Sequence, residues 1–261
     1  MALLVSLSTL TVAGGTLVTV RQVEGEQQLT RDGQVTDRYT AAVANLGNNN
    51  EEVRLGGLYA LQRIAQDSPR DAPTVVQVIS AYVRGHAPAP KKGTKGPTHP
   101  RNDVAAALSI LVAPLAKDTP VDLHGANLYD ADLHGADLQG ADLHEANLQN
   151  AYLLDADLRD AFLVRADLHD AILKDADLHK ANLYDADLHG IDLIGVDLHD
   201  ADLTYADLHD TNLEGADLHE AYLESANLTG ANLTGANLKG VHDLSRATGQ
   251  SPANATAPTA P

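Results

Sequence analysis

The sequence predicts a mainly β solenoid that follows an α-helical N-terminal region. Leu stands at every fifth position from Leu123 to Leu238, which makes 24 copies of one five-residue repeat. Ala precedes this Leu by two positions in 20 of the 24 copies, and the residue between them is mostly Asp or Asn. A short, fixed period that continues from residue 121 to residue 240 is typical of solenoid proteins.

Strand geometry explains the five-residue period. Side chains alternate between faces along a strand, so Ala and Leu share one face and the Asp or Asn between them lies on the other. Because five is odd, each repeat needs a corner before the next Leu points inward again. Turn-forming residues stand at this corner, among them Gly125, Gly135, Gly140, Asp155, Asp160, Asp170 and Gly190. We therefore predict a narrow prism with Leu and Ala inside, whereas a helix would spread Leu over all its faces.

The run A-(D/N)-L-x-x resembles the pentapeptide-repeat family, and the resemblance covers nearly half of the chain. It implies a right-handed quadrilateral β-helix with four repeats per coil, so that the 24 repeats would form about six coils. The words G-Q-V-T-D-R-Y at 33–39 and V-R-L-G-G-L-Y-A-L at 53–61 resemble a segment that often precedes these repeats in bacterial membrane-associated proteins.

Residues 1–20 carry no charged side chain and are long enough to span a membrane. We predict a transmembrane or anchor helix here. Arg21, Arg31 and Arg38 follow the segment and no Lys or Arg precedes it, so the positive-inside rule leaves the bulk of the protein in the cytoplasm. The alternative is a soluble apolar helix that packs on the next domain, in a cytoplasmic protein.

Residues 22–86 read as a helical module, similar to the hairpins of HEAT-type repeats. Asn48 to Asn50 precede Glu51 and Glu52, which suits a capped helix start, and apolar residues then recur at helical spacing. Asp71 and Pro73 open a second helix, whose predicted apolar face consists of Val75, Val78, Ile79, Tyr82 and Val83. Close packing against a neighbouring helix is the expected reason for Gly56 and Gly57.

The remaining segments complete the predicted domain organisation. Residues 87–101 are rich in Pro, Gly and Lys and predict a flexible linker. Residues 102–116 predict a helix that covers the first coil, since an open solenoid end exposes core and backbone. The β-helix is expected over 121–244, with one extra residue near Leu244, and the Ala-, Thr- and Pro-rich tail 246–261 is expected to be disordered.

Charge is concentrated in the repeats. Residues 121–240 hold 25 Asp and Glu against 5 Lys and Arg, a net charge of −20, whereas the whole chain carries −18. Such a block repels nucleic acid and suits a protein partner with a basic surface. The chain has no Cys, which excludes disulfide and thiol chemistry.

With twenty residues per coil, outward side chains twenty positions apart form columns. The longest acidic column runs from Asp137 to Asp217. Two columns of three His lie on opposite walls, and each of these His follows an Asp by two positions. The candidate interaction surface is Asp137, Asp157, Asp177, Asp197, Asp217, Asp167, Asp187, Asp207, His169, His179, His189, His199, His209 and His219.

Such columns could hold a transition metal, but duplication of a ten-residue unit would equally leave solvated His on flat walls. We favour the second interpretation and predict no metal ligands, no cofactor and no catalytic residues, because flat walls offer no cavity. Known phosphate-binding, nucleophile-elbow and zinc-protease motifs are missing from the sequence.

The sequence thus favours a non-enzymatic, membrane-tethered scaffold for protein–protein interaction. The family resemblance implies a rival, because some pentapeptide-repeat proteins mimic duplex DNA and bind DNA gyrase. The uninterrupted prism, its all-Leu central positions, the missing dimerising segment and the predicted anchor count against that rival. A metal-binding or catalytic protein is the third and weakest alternative.

Overall fold

The computed structural model describes residues 20–90, 99–113, 115 and 119–249, with side chains from residue 33 onwards. These residues form two compact units, divided after Ile64. The predicted anchor up to residue 19, the centre of the predicted linker at 91–98 and the tail from residue 250 lie outside the described residues.

The first unit contains helix α1, Val20–Leu46, and most of helix α2, Glu51–Asp67. The predicted cap is confirmed, since the Asn50 side chain accepts a hydrogen bond from the Glu52 backbone N–H at 2.8 Å. A Cβ on Gly57 would lie 2.8 Å from the Ala42 carbonyl oxygen, so Gly57 lets the two helices approach closely. Gly56, by contrast, has open space at this position. None of the helices among the described residues is long and apolar enough to cross a membrane.

Helices α3, Ala72–His86, and α4, Asn102–Leu111, pack against each other in the second unit. A buried carboxylate joins them, because Asp103 accepts hydrogen bonds from the Tyr82 hydroxyl at 2.7 Å and from Arg101 at 2.8 Å. Helix α3 belongs to the same compact unit as the solenoid, whereas most of helix α2 belongs to the first unit. Helix α4 is shorter than the predicted 102–116, and Pro114 explains this because a proline disfavours helical geometry at the residue before it.

Parallel β-bridges connect outward residues that are twenty positions apart, from Asp122↔Asp142 to Tyr222↔His242. They define four walls. Wall 1 starts at Asp122, wall 2 at Asn127, wall 3 at Asp132 and wall 4 at Asp137, and each continues in steps of twenty residues. Within the described chain the β-pairing consists of such bridges rather than longer strands, because the corners occupy the rest of each repeat.

The interior of the prism is as predicted. Every repeat Leu from Leu123 to Leu233 is buried, and Leu238 at the C-terminal end is half-buried. All corner residues at every fifth position from 125 to 240 have positive φ, which confirms the predicted corners. In most repeats the Ala after the corner donates its N–H to the carbonyl of the preceding Leu, as from Ala181 to Leu178 at 2.9 Å. The corner is thus a hydrogen-bonded β-turn with a left-handed third residue.

The N-terminal end of the prism is covered by the chain that follows α3. Asn127 donates its backbone N–H to the Ala87 carbonyl at 2.6 Å, and Ala89 donates to the Gly125 carbonyl at 2.7 Å. Arg84 donates to the Asp122 carbonyl at 2.9 Å. These bonds satisfy backbone groups that have no preceding coil. The prediction of a flexible linker beginning at residue 87 is therefore wrong for residues 87–89.

At the C-terminal end the predicted extra residue is confirmed. Wall 1 extends to His242, which pairs with Tyr222 at the usual spacing of twenty, whereas Thr248 pairs with Asn227 at a spacing of 21. A short 3₁₀ helix, Leu244–Arg246, takes up the additional residue. Residues 246–248 are consequently part of the solenoid, so the prediction that the disordered tail begins at 246 is wrong.

The face assignment yields a stability test. Leu178 is fully buried and Ile172 is 44% exposed, so Leu178→Asp should lower the free energy of unfolding by several kcal/mol while Ile172→Asp stays within about 0.5 kcal/mol. Thermal melts of the two variants measure the difference. Equal losses would contradict the assignment of inward and outward positions.

Candidate interaction surface

The predicted acidic column lies on one wall. Bridges connect Asp137 to Asp157 and continue to Asp177, Asp197 and Asp217, so these five residues form an unbroken ladder on wall 4. Asp167, Asp187 and Asp207 stack in the same manner on wall 2. The structure therefore brings the predicted acidic residues together in two separate ladders.

Seven of these aspartates, from Asp157 to Asp217, also stabilise their corners. The Oδ1 atom of Asp177 accepts the backbone N–H of His179 at 3.0 Å, and Asp197 and Asp217 accept the corresponding N–H groups at 2.9 and 3.0 Å. This local bond suits Asp and Asn equally, because only the side-chain oxygen takes part. Asn227 indeed accepts the N–H of Thr229 at 3.2 Å.

Asparagine adds a bond that aspartate cannot form. The Asn237 amide donates to Asp217 in the preceding coil at 2.8 Å, and Asn147 donates to Asn127 at 2.8 Å. An ionised carboxylate only accepts hydrogen bonds, so two stacked aspartates have no such link. Nevertheless, the outward position holds 13 Asp against 7 Asn across the 24 repeats. The turn bond therefore needs a side-chain oxygen but not a negative charge.

One basic residue, Arg159, pairs with two aspartates of the wall 4 ladder. Arg159 donates from Nε to Oδ1 of Asp157 at 2.8 Å and lies 3.6 Å from Oδ2 of Asp177. Hydrogen bonding to Arg159 lowers the pKa of Asp157 below the usual aspartate value. The sequence analysis did not single out Arg159, although its place two residues after Asp157 puts it on the same wall.

The aspartate ladder on wall 2 is shorter than the ladder on wall 4. Partial burial raises the pKa of Asp167, although hydrogen bonds from the His169 backbone and the Gln149 side chain oppose this effect. The Gln149 amide lies 2.5 Å from Oδ2 of Asp167. Asp207 accepts an additional bond from Asn227 at 2.9 Å. Wall 4 is therefore the stronger candidate for recognition by charge.

The predicted His columns are confirmed as stacks of rings. On wall 2 the centroids of His169 and His189 are 3.8 Å apart, and those of His189 and His209 are 4.7 Å apart. On wall 4 the rings of His179, His199 and His219 stack with separations of 4.9 and 4.7 Å. Sequence spacing alone was sufficient to place these rings.

His209 and Asp207 form a defined pair, with Nδ1 and Oδ1 2.8 Å apart. This hydrogen bond raises the pKa of His209. Partial burial opposes ionisation of Asp207, but the hydrogen bonds from the His209 side chain and backbone prevail and lower the pKa of Asp207. Charged imidazolium and carboxylate thus favour each other across the turn.

The sequence analysis missed two groups of outward residues. His124 and His144 stack on wall 1 with ring centroids 4.9 Å apart. Large apolar side chains are exposed on walls 1 and 3, among them Phe162, Tyr152 and Ile172, and Tyr184 meets Tyr205 edge-on at 5.4 Å. The sequence could have revealed the apolar group, because Tyr, Phe or Ile replaces Asp or Asn at the outward position in only 4 of the 24 repeats.

The sequence profile described as Pentapeptide repeats matches the chain in eight copies, over residues 121–153, 151–190, 181–219, 201–240 and 216–248. These matches coincide with the solenoid and its 21-residue last step. The chain belongs to the pentapeptide-repeat family. Pentapeptide-repeat proteins form right-handed β-helices, which is the fold that the bridges and corners build here.

Several solved pentapeptide-repeat structures are similar to this chain. HetL, a protein involved in heterocyst differentiation regulation in Nostoc sp. strain PCC 7120, is 40% identical over 50% of this chain and 70% of its own, with a TM-score of 0.23. A thylakoid lumen protein of Arabidopsis thaliana is 33% identical, covering 42% of this chain and 69% of its own, with a TM-score of 0.27.

QnrB1, a plasmid-mediated fluoroquinolone resistance protein, is 21% identical over 47% of this chain and 74% of its own, with a TM-score of 0.38. A comparison with functionally curated proteins gave no match. The family assignment accordingly rests on the repeats themselves.

The pair of His209 and Asp207 on wall 2 predicts that the stability of the protein depends on pH. Because its pKa is raised, His209 contributes stability that is present below the ordinary histidine pKa of about 6.5 and is lost as pH rises through its folded value. Asp207 contributes above its ordinary pKa of about 3.9, and this contribution is lost as pH falls through its lowered value. The interaction is thus strongest between about pH 4 and pH 6.5.

An NMR titration of His209 checks this pair. Asp207→Asn should move the His209 midpoint down towards about 6.5, because the amide keeps the turn bond but removes the charge. Asp197→Asn on wall 4 is the matched control and should leave the His209 midpoint unchanged. An unaltered midpoint in Asp207→Asn would refute the pairing.

Proposed function

We propose that this protein is a non-enzymatic interaction scaffold whose wall 4 binds a protein partner with a basic surface. One observation supports the proposal above all. Aspartate occupies five successive positions of wall 4, where asparagine would make the same turn bond and an additional bond between coils. The charge is therefore unnecessary for folding and is available for recognition.

Retaining this charge has a cost. Two unit charges about 4.8 Å apart repel each other by roughly 0.9 kcal/mol in bulk water, before screening by salt. The penalty recurs at each step of the ladder, although Arg159 offsets part of it near Asp157 and Asp177. A partner with Lys or Arg at matching spacing would remove this repulsion. Its removal would add to the favourable free energy of binding.

The geometry of the ladder suits a rigid recognition surface. From Asp137 to Asp217 it extends roughly 19 Å at the usual strand spacing. The backbone on both sides is fixed by bridges and buried Leu, so little conformational entropy is lost when a partner binds. Outward side chains on flat walls serve binding better than catalysis, which is why the proposal contains no enzymatic step.

One observation favours a second candidate, a mimic of duplex DNA that binds DNA gyrase. The repeats carry a net charge of −20. Spread over about 29 Å of stacked coils, this is roughly one charge per 1.4 Å, close to the value of about 1.7 Å for duplex DNA. The exposed Phe162, Tyr152 and Ile172 count against mimicry on walls 1 and 3.

Charge-neutralising variants test the first proposal. The triple variant Asp177→Asn, Asp197→Asn, Asp217→Asn should lose the partner while remaining at least as stable as the wild type, because the turn bonds persist. The matched control Asp132→Asn, Asp192→Asn, Asp202→Asn removes the same charge from walls 3 and 1 and should retain the partner. The measurement is quantitative capture from solubilised cells, with each variant and the wild type compared side by side.

Salt and pH sharpen this experiment. Capture should weaken from 0.1 M to higher salt, because the Debye length at 0.1 M is already only about 10 Å. Protonation of the nine repeat His in acid would change the net charge from −20 to −11, so binding should weaken when the pH is lowered. Partners that both triple variants retain equally would contradict wall 4 recognition. Gyrase captured in competition with duplex DNA would support the second candidate instead.

We further propose that the apolar residues 1–20 tether the scaffold to a membrane, with the solenoid in the cytoplasm. The intact chain should sediment with membranes and resist a high-salt wash, whereas a chain that starts at Glu24 should remain in the supernatant. Recovery of the intact chain in the soluble fraction would rule out the tether while leaving wall 4 recognition open to its own test.

A further inference from the structure

A group of potential metal ligands lies on wall 1, away from the proposed recognition surface. One ligand atom from each of His124, Asp142 and His144 lies within 4.8 Å of the other two. The two imidazole rings stack almost in parallel, with an interplanar angle of 6°. Their side chains are 44% and 43% exposed, so a hydrated ion can reach them from solvent.

Carboxylates orient both rings. Nδ1 of His124 lies 2.7 Å from Oδ1 of Asp122, and Nδ1 of His144 lies 2.6 Å from Oδ1 of Asp142. Arg84 holds Asp122 in turn, with Nη1 and Oδ2 2.5 Å apart. Histidines that bind metals usually have one ring nitrogen fixed by such a carboxylate, since this sets the tautomer and raises the basicity of the ring.

Carboxylates of the neighbouring corner residues approach Nε2 of some other repeat histidines, whereas Glu145, which follows His144, pairs with Arg165. His124 precedes Gly125, which has no side chain to compete for the ring. In contrast, Nε2 of His169 lies 3.1 Å from the Asp170 carboxylate, and Nε2 of His199 lies 3.3 Å from Asp200. Over the described residues, His124, Asp142 and His144 are the one group of three or more potential ligands that comes this close together.

We propose that His124, Asp142 and His144 form a binding site for a divalent transition-metal ion such as Zn²⁺. Two imidazole nitrogens favour such an ion over Mg²⁺ or Ca²⁺, which prefer oxygen ligands. Metal–nitrogen bonds of about 2.0–2.1 Å place two nitrogens on one ion roughly 3 Å apart. Rings whose centroids are 4.9 Å apart reach this separation by tilting towards each other, and their exposed edges leave room to do so.

The bound ion would connect the first two coils of the prism. His124 belongs to the first coil and His144 to the second, and Arg84 anchors the same wall to helix α3. An ion that binds only the folded state raises the melting temperature by mass action. The site therefore acts as a cross-link at the N-terminal end of the solenoid and is independent of wall 4.

Calorimetric titration of the untagged, full-length chain with Zn²⁺ alone tests the site. The wild type should show one tightest site, and this site should be lost in the double variant His124→Gln, His144→Gln. Asp142→Asn should weaken it by about tenfold or more, because the amide still supports the turn but no longer supplies a carboxylate. Zn²⁺ should also raise the melting temperature of the wild type but not that of the double variant.

The double variant His189→Gln, His209→Gln is the matched control. It removes another stacked pair, with ring centroids 4.7 Å apart, in which each ring is also held by an aspartate. This variant should keep the tightest Zn²⁺ site. Three outcomes would overturn the proposal: a wild type that binds no Zn²⁺, a tightest site that survives in the first double variant, or a site lost equally in the control. Thermal melts without metal establish that both double variants fold.

Discussion

The left-handed corner is the constraint on which the rest of the solenoid depends. Every fifth backbone position turns with positive φ, and this resets the alternation of side chains so that each Leu returns to the interior. Four such corners close one coil and place residue n under residue n + 20. Bridges, buried Leu and stacked columns all follow from this single backbone event.

The corner also explains the composition of the repeats. Gly and Asp adopt positive φ at low cost, whereas other residues with a Cβ pay roughly 1 kcal/mol or more. Several repeats accept this cost at Glu145, Arg165, Lys180, Tyr205, Glu220 and Ser225. Arg165 recovers part of it through an ion pair with Glu145 at 2.8 Å. Tyr205 is uncharged and forms no ion pair. Its exposed ring instead lies edge-on against the ring of Tyr184.

Most of the solenoid was predictable because it is periodic. The inward Leu, the corners and the stacking of Asp177 beneath Asp197 follow from counting in fives and twenties. The contacts of Arg159, and the meeting of His124 with Asp142 and His144, depend on side-chain conformations that counting does not supply. The ends were the least predictable part, since Ala87 to Ala89 satisfy the first coil through backbone bonds that carry no sequence pattern.

The 21-residue step from Asn227 to Thr248 indicates how the length of this solenoid can change during evolution. The extra residue does no harm there because no described coil stacks beyond it. Inside the prism, the gain or loss of five residues would rotate every later column to the neighbouring wall and break up the acidic ladder. The gain or loss of twenty residues would leave each column on its own wall. Selection that preserves the chemistry of the walls therefore permits duplication in whole coils, and the repeat that evolution can copy is four times longer than the repeat that the chain displays.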